Sequence, residues 1–272
     1  PSHARAGAET DRSRGRVHRL VGDLAAELVR RLPPVDLVVH GAWVTADPGS
    51  LGTTREEYRA RNLEPLQHLL EWARASRPKA FVFLSSTGVF AADDAVDELT
   101  DTDTPTSTAP YAEAKRAGER LTLDFAGSAD PFVVRLGYLW GPGERPRPTR
   151  PRRSLVTEWI AAAVRGEPLP VRADDPVRDW TYTGDLASAV LRVVEGESTR
   201  RPIHLGSPYR YRDSQAASLI AARFPGTLLT TVPGGAPVKP PMAPSDVPLL
   251  KGFDWSDLKK TLDQVVVPGA LV

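Results

Sequence analysis

Apolar runs of strand length alternate with amphipathic segments over the first half of the chain. The run VDLVVHGAW at 35–43 is almost continuously apolar, which is typical of a strand covered on both faces. Leucines recur at helical spacing through 54–76, so this segment is predicted to be a helix. Strands and helices in this alternating order predict a parallel sheet with helices on both faces. The predicted strands are 17–24, 35–43, 79–86 and 131–140, and the predicted helices among them are 25–32, 54–76 and 111–126.

The remainder of the chain is predicted to extend this sheet and to form a smaller lobe. Residues 178–206 hold a strand, a turn, a helix and a further strand, so they are expected to complete the sheet of residues 1–140. The segments 141–177 and 207–272 are expected to form a lobe over its carboxyl edge. The opening residues, 1–16, are small and polar without periodicity and favour a loop. Helices of the lobe are predicted at 155–165, 212–223 and 255–265.

Composition limits the classes of partner. The formal net charge is +1, so no global field would draw the protein to nucleic acid or to an acidic membrane surface. The sequence contains no apolar run of membrane-spanning length. It also contains no cysteine, which excludes disulfides, a thiolate nucleophile and cysteine-ligated metal, and we predict no metal site. We expect a cytoplasmic protein that acts on a small molecule, with no nucleic-acid or membrane partner and with a homodimer allowed.

Three residues indicate proton and hydride chemistry at a hydroxyl or carbonyl carbon. Tyr111 and Lys115 are four residues apart on a predicted helix and therefore share one face. A nearby ammonium, helped by an oxidised nicotinamide, lowers the pKa of a phenol, which can then exchange a proton with a substrate hydroxyl. Ser86 ends a predicted strand and can hold the substrate oxygen. The alternative is a surface tyrosine and lysine beside a serine that caps the strand.

Four segments in order carry a family resemblance. FVFLSSTGVFA, PYAEAKRAGE, VVRLGYLWGPG and VRDWTYTGDLASAV resemble the landmarks of the extended short-chain dehydrogenase/reductases, which include nucleotide-sugar epimerases, dehydratases and reductases. The resemblance covers about 17–206. It implies a Rossmann-type doubly wound parallel sheet, NAD or NADP as the cofactor, and Ser86, Tyr111 and Lys115 as the catalytic residues. It also makes 1–140, completed by 178–206, the dinucleotide-binding domain and the lobe the substrate-binding part.

Cofactor contacts are implied by the same resemblance. The turn Gly22-Asp23-Leu24 matches the one that usually meets adenine, and the turn that begins at His40 matches the one beside the phosphates and ribose. Asn62 matches a helix asparagine and, inside a helix, is expected to have a buried hydrogen-bonding role. For Asp23 the alternative is a helix N-cap, and for His40 a packed histidine at a strand end is favoured. The implied cofactor contacts are Asp23, Leu24, Gly41, Ala42, Asn62, Tyr111 and Lys115.

Thr87, Tyr138 and Arg178 are the implied substrate contacts. Arg178 heads the RD-aromatic segment, where the family's arginine often binds the diphosphate of a nucleotide sugar through its planar fork. An ion pair with Asp179 or Asp185 is an equal alternative. The basic loop from Arg145 to Arg153 is a weaker candidate for the same task, because its prolines favour an extended, exposed arm.

Two departures from the family shape the functional prediction. Thr87 and Gly88 replace the Asp-Glu pair of the dehydratases, which disfavours a sugar 4,6-dehydratase, and Tyr138 replaces a common asparagine. The family's first strand and Gly-rich loop have no match, so we expect a preceding strand–Gly-loop–helix in the natural protein; loss of the cofactor site is the alternative.

The expected activity is that of an NAD(P)-dependent oxidoreductase or epimerase acting on a nucleotide sugar or keto-sugar. One alternative is a ketoreductase of a non-sugar natural-product intermediate. The other is a cofactor-free protein that catalyses a non-redox isomerisation or cyclisation.

Overall fold

The structure, a computed structural model, describes residues 7–10, 16–125, 127 and 129–265. These residues form an α/β fold of eleven strands and seven α-helices. The strands are β1 (Gly7–Thr10), β2 (Arg16–Arg19), β3 (Leu37–His40), β4 (Ala80–Ser86), β5 (Asp130–Leu136), β6 (Tyr138–Trp140), β7 (Leu169–Arg172), β8 (Val177–Tyr182), β9 (Pro202–Leu205), β10 (Arg210–Arg212) and β11 (Leu229–Val232). The helices are α1 (Ala26–Val29), α2 (Arg55–Ser76), α3 (Pro110–Leu123), α4 (Leu155–Val164), α5 (Leu186–Val194), α6 (Asp213–Ala221) and α7 (Leu258–Val265).

The central sheet has four parallel strands in the order β3-β4-β5-β9. Side chains of β4 alternate between its two faces, as the twofold period of a strand requires. Phe81 and Phe83 pack with Leu66 of α2 on one face, whereas Val82 packs with Val190 of α5 on the other. The prediction of a parallel sheet covered by helices on both faces is therefore confirmed.

The long predicted helix at 54–76 is confirmed as α2. Thr54 caps its N-terminus by accepting a hydrogen bond from the backbone N–H of Glu57, whose carboxylate accepts one from the N–H of Thr54. Its buried side chains include Leu66, Leu70 and Ala73, which recur at helical spacing and pack with Phe81 and Phe83 of the sheet. Most other predicted helices are also present, although α1 is only four residues long and α7 begins three residues later than predicted.

The beginning of the chain differs from the prediction. The strand expected at 17–24 is the shorter β2, and it pairs antiparallel with β1 in a separate two-stranded sheet. The prediction of a loop over 1–16 is wrong for residues 7–10, which form β1, and for Arg16, which begins β2. Residues 1–6 and 11–15 lie outside the described residues. A short strand finds its hydrogen bonds most easily in a partner close in sequence, and local patterning does not distinguish that partner from a central sheet.

The predicted strand at 131–140 is two strands that belong to different sheets. It breaks at Gly137, after which β6 pairs with β8 in the sheet β10-β8-β6. A Cβ atom at Gly137 would lie 1.5 Å from Oδ2 of Asp179, so only glycine allows this close approach of the chain to β8. Asp179 accepts hydrogen bonds from the backbone N–H groups of Tyr138 and Met242 at 3.4 and 3.1 Å.

The C-terminal third builds a second core beside the central sheet. Helices α4, α6 and α7 pack with strand β7 around Trp140, Trp159 and Trp180. Strand β7 pairs in parallel with β11. The division into a dinucleotide-binding domain and a substrate lobe stays a prediction. No helix in the described part of the chain is long and apolar enough to cross a membrane.

Candidate active site

Ser86 and Tyr111 meet at the carboxyl end of β4. Ser86 is the last residue of β4, and its Oγ accepts a hydrogen bond from the backbone N–H of Gly88 at 3.0 Å. Tyr111 lies in the first turn of α3, directly after Pro110. A Cβ atom at Gly88 would lie 2.8 Å from Cε1 of Tyr111 and 3.2 Å from Oγ of Ser86. The structure therefore brings these two predicted catalytic residues together around a position that has no room for a side chain.

Lys115 lies one turn further along α3 and is 4% exposed. Its Nζ donates a hydrogen bond to the carbonyl oxygen of Leu84 at 2.6 Å. The ammonium also lies 4.1 Å from the ring centre of Trp43 and 6.0 Å from that of Tyr111. Burial lowers the pKa of Lys115 to about 7, although the negative charge of Glu119 opposes the shift. Lys115 can therefore exchange a proton near neutral pH.

The pKa of Tyr111 moves in the opposite direction. Burial raises the pKa of its phenol, while a hydrogen bond with Ser86 and the positive charge of Arg150 act to lower it. A raised pKa keeps the phenol protonated at neutral pH in the free protein. Tyr111 is thus set up as a proton donor, and it needs added positive charge to act as a proton acceptor.

A buried ion pair lies next to these residues and connects the elements that hold them. It was not predicted from the sequence. Nε and Nη2 of Arg135, on β5, donate to both carboxylate oxygens of Glu119 at 2.9 Å each. Oγ of Ser85 donates to Oε1 of the same carboxylate at 2.6 Å. This network joins β4, α3 and β5 next to Ser86. The only signal in the sequence is the position of Glu119, four residues after Lys115 and on the same helix face.

A cavity of about 940 Å³ lies beside this constellation. Its volume is within the range of about 300–1,000 Å³ that is usual for ligand pockets. Its lining residues do not include Ser86, Tyr111 or Lys115. They do include Trp43, and the ammonium of Lys115 lies over the ring of this tryptophan. The lining includes every predicted cofactor contact other than Tyr111 and Lys115, namely Asp23, Leu24, Gly41, Ala42 and Asn62. Gly22, which precedes Asp23, lines the cavity as well.

The cavity wall fits a polar ligand such as a dinucleotide. Nε1 of Trp43, which lines the cavity, is buried without a hydrogen-bond partner in the described residues. Gly41 and Ala42 keep the wall free of long side chains where the chain leaves β3. Asp23 also lines the cavity, is exposed, and can accept hydrogen bonds from ribose hydroxyls. No group of three or more His, Cys, Asp or Glu side chains able to hold a metal ion occurs among the described residues.

Asn62 has the buried hydrogen-bonding role that was predicted for it. Its Oδ1 accepts from the backbone N–H of Val44 at 2.7 Å, and its Nδ2 donates to the carbonyl oxygen of Tyr58 at 3.1 Å. The amide thereby ties α2 to the segment that follows β3, along the cavity wall. Any direct contact of Asn62 with a cofactor stays a prediction.

Two alternatives for the neighbouring residues are also decided. Asp23 does not cap α1, because the N-cap residue is Ala25 and no side chain caps it, so that alternative is wrong. His40 is 3% exposed and stacks on Phe83 with a centroid distance of 5.9 Å. Burial lowers the pKa of His40 to about 4, which keeps the imidazole neutral. The interpretation of His40 as a packed histidine at a strand end is confirmed.

Arg178 is held by a carboxylate that the sequence did not indicate. Its Nε and Nη2 donate to the two oxygens of Asp213 at 2.6 and 2.9 Å. The alternative that Arg178 forms an ion pair is correct, but the predicted partners are wrong. Asp179 and Asp185 accept hydrogen bonds from other residues. Tyr138 packs against Arg178, with the guanidinium carbon 4.6 Å from its ring centre.

The substrate contacts predicted from the sequence are not brought into the cavity. Thr87 is 3% exposed, and neither it nor Tyr138 nor Arg178 is among the lining residues. Their roles toward a substrate stay predictions.

The arginine-rich loop, 144–153, is exposed along most of its length, as predicted, but it also lines the cavity, so the prediction is wrong only in excluding the loop from a pocket wall. The carbonyl oxygen of Thr149 accepts backbone hydrogen bonds from Thr45 and Ala46 at 2.8 and 3.1 Å, which fasten the loop to the segment after β3. Glu144 pairs with Arg150 at 3.1 Å and accepts the backbone N–H of Ser154, the N-cap of α4, at 2.7 Å. Backbone hydrogen bonds in both directions between Arg147 and Arg150, at 2.9 Å each, close a tight turn within the loop, and the anchors at Thr149 and Glu144 hold this turn beside the cavity.

The parallel sheet and the cavity at its carboxyl edge define a Rossmann-type α/β protein. The chain belongs to the NAD dependent epimerase/dehydratase family, whose sequence model matches residues 4–206. The family prediction and the predicted fold class are thus confirmed. Structures of relatives contain NAD, in agreement with the predicted cofactor class.

Individual proteins that are similar to this chain agree with this family and fold. The uncharacterized UDP-glucose epimerase YtcB of Bacillus subtilis is 27% identical over 172 residues, which are 63% of this chain and 52% of that protein. The chain thus spans about half the length of that relative. Epimerase Mth375 of Methanothermobacter thermautotrophicus has the same fold, with a TM-score of 0.75 at 23% identity over 90% of this chain and 75% of that one. MoeE5, solved in complex with UDP-glucose and NAD, gives 0.71 at 25% identity over 90% and 82%.

Proposed function

We propose that this protein is an NAD-dependent epimerase or reductase of a nucleotide sugar, with Tyr111 as the proton-transfer residue. The observation that carries the proposal is the contact of Ser86 and Tyr111 around Gly88, next to the buried ammonium of Lys115. Bound NAD would supply the acceptor or donor of a hydride at the reacting carbon. The chain's own residues then have to hold the substrate oxygen and move its proton.

Each member of the constellation has one task. The Oγ of Ser86 accepts the N–H of Gly88, and its hydroxyl hydrogen, which interacts with Tyr111 in the free protein, would turn to the substrate oxygen when substrate binds. Tyr111 exchanges the proton of that oxygen as the carbon is oxidised or reduced. Lys115, together with the positive charge of Arg150, favours the phenolate of Tyr111 when a proton must be accepted. Glu119 and Arg135 hold the strand end and the helix in place.

The choice of a nucleotide sugar is supported by the relatives. MoeE5 was solved with UDP-glucose, and the Bacillus protein bears the name of a UDP-glucose epimerase. Dehydration is disfavoured because Thr87 and Gly88 offer no carboxyl group, and a Cβ atom at Gly88 would already lie 2.8 Å from the ring of Tyr111. An acidic side chain at this position would displace the phenol that the chemistry needs.

The test is a direct assay of the purified protein with NAD and a panel of UDP- and dTDP-hexoses and their 4-keto derivatives. We expect inversion at a ring carbon, seen by NMR, or NADH-dependent reduction of a keto-sugar, seen at 340 nm. Tyr111→Phe is the control and should abolish both signals. NAD binding without conversion of any nucleotide sugar would favour a ketoreductase of a non-sugar substrate. Failure to bind NAD or NADP would favour the cofactor-free alternative.

A further inference from the structure

Six arginines line the cavity that holds the predicted cofactor contacts. Three acidic residues share the lining, but only one arginine, Arg150, has a carboxylate partner, at 3.1 Å from Glu144. The other five form no ion pair within the described ranges of the chain. The six are Arg61 on α2 and, on the loop 144–153, Arg145, Arg147, Arg150, Arg152 and Arg153.

This concentration of charge is built into the fold. The loop is fastened by Thr149 to the segment after β3 and by Glu144 to the start of α4. Nε of Arg153 is buried without a hydrogen-bond partner in the part of the chain that the structure describes. A buried donor on a cation is costly when it lacks a partner, and a ligand that accepts hydrogen bonds would remove that cost. A concave wall with an excess of positive charge, here six arginines against three acidic residues, also concentrates anions at its surface.

The cation that the sequence offers for a diphosphate is engaged by a carboxylate of the protein itself. Arg178 uses two of its nitrogens on Asp213 and lies outside the cavity lining. The loop, in contrast, faces the cavity, and its Arg150 is close enough to Tyr111 to favour the phenolate electrostatically. The loop therefore lines the cavity, and the charge of its Arg150 also acts on Tyr111.

We propose that the arginines of loop 144–153 bind the diphosphate group of a nucleotide ligand in this cavity. The inference rests on the proposed function for the identity of the ligand as a nucleotide. A diphosphate ester fits because several guanidinium groups can each donate paired hydrogen bonds to its oxygens, whereas one carboxylate would be satisfied by one arginine. The diphosphate belongs either to the nucleotide sugar or to the dinucleotide cofactor.

Two probe ligands separate these sources. Binding of UDP and of ADP-ribose is measured by calorimetry for the wild type and for Arg147→Gln/Arg152→Gln, two exposed arginines of the loop. The control variant is Arg120→Gln/Arg165→Gln, which removes two exposed arginines outside this cavity and changes the net charge equally. We expect the loop variant to lose about 10- to 100-fold in affinity for at least one probe, as for loss of charge-assisted hydrogen bonds. The control should match the wild type in affinity, and all three proteins should unfold at the same temperature.

The pattern of losses identifies the ligand. A loss for UDP alone assigns the loop to the nucleotide sugar, and a loss for ADP-ribose alone assigns it to the cofactor. Equal affinities of loop variant and wild type for both probes, or no binding of either probe by the wild type, would overturn the proposal. If UDP binds through the loop but no nucleotide sugar is converted, the anion site stands and the proposed catalytic function is what fails.

Discussion

Arg178 and Asp213 form a buried, two-pronged ion pair that joins β8 to the first residue of α6. Nε and Nη2 of the arginine each bind a different oxygen of the carboxylate, and the two side chains are 10% and 1% exposed. Two charges held in this way have lost most of their hydration, so each depends on the other. The pair therefore fastens the second core to the strand that follows the site, whatever else Arg178 does.

Breaking this pair should destabilise the protein. We expect Asp213→Asn to lower the free energy of unfolding by about 3–5 kcal/mol, because Arg178 would be left as a buried charge without its partner. The double variant Arg178→Met/Asp213→Leu should lose clearly less, since neither charge remains. Urea unfolding of the single and double variants measures both. If Asp213→Asn unfolds like the wild type, Arg178 is free for a ligand and its role as a substrate contact gains support.

Tyr111→Phe should remove turnover without unfolding the protein. The ring still packs against Gly88, so stability should change by less than about 1.5 kcal/mol, whereas the proton donor is gone. We expect kcat to fall at least about 100-fold with the affinity for NAD nearly unchanged. Steady-state kinetics measures the loss of kcat, and dye-monitored thermal unfolding measures the change in stability. A variant that kept a tenth of the wild-type kcat would remove Tyr111 from the proton transfer.

Gly88→Ala tests the contact between Ser86 and Tyr111. The added methyl group would lie 2.8 Å from the tyrosine ring, so the ring has to move at a cost of about 1–3 kcal/mol. We expect a loss of activity much larger than the loss of stability, because the displaced atoms are those of the site. Gly196→Ala is the control, since its nearest contact is the end of the Leu249 side chain at 3.3 Å. Equal activities of these two variants would contradict the proposed geometry.

The central sheet was predictable because its information is local. The apolar run that contains Phe81 and Phe83 and the spaced leucines of α2 are each recognisable within one element. The break at Gly137 was not, because its cause is Asp179, which lies 42 positions later and reaches Gly137 only in the folded chain. An apolar run continues through the break, so periodicity alone cannot show it.

The candidate site divides in the same way. The proximity of Ser86, Tyr111 and Lys115 was predictable because one residue ends a strand and the other two share a helix face, whereas their catalytic roles stay predictions. The pair of Glu119 and Arg135 was missed because each residue alone looks like an ordinary charge on a helix or a strand. The exposure of loop 144–153 was predicted correctly, but its place in the cavity wall was missed, because that place depends on hydrogen bonds from Thr45 and Ala46, about a hundred positions earlier in the sequence.

The burial of Lys115 predicts how stability depends on pH. The pKa of this lysine falls from the ordinary 10.5 to about 7 in the folded protein. Between these values the unfolded chain binds more protons than the folded one, so the free energy of unfolding should rise with pH, by up to about 1.4 kcal/mol per pH unit from this group. Below pH 7 both states hold the proton and the cost of burying the ammonium is constant.

Lys115→Met should therefore flatten the pH dependence of stability and make the protein more stable at neutral pH. The methionine fills a similar volume and carries no charge to be desolvated, although the carbonyl oxygen of Leu84 loses one hydrogen bond. Urea unfolding between pH 7 and about 9 measures the slope below the range in which tyrosines titrate. Lys260→Met, at an exposed position, controls for the loss of one charge and should keep the wild-type slope. If Lys115→Met and wild type show parallel curves, the ammonium is not desolvated in the free protein. Lys115 would then favour the phenolate of Tyr111 as a lysine of ordinary pKa, fully protonated throughout the neutral range.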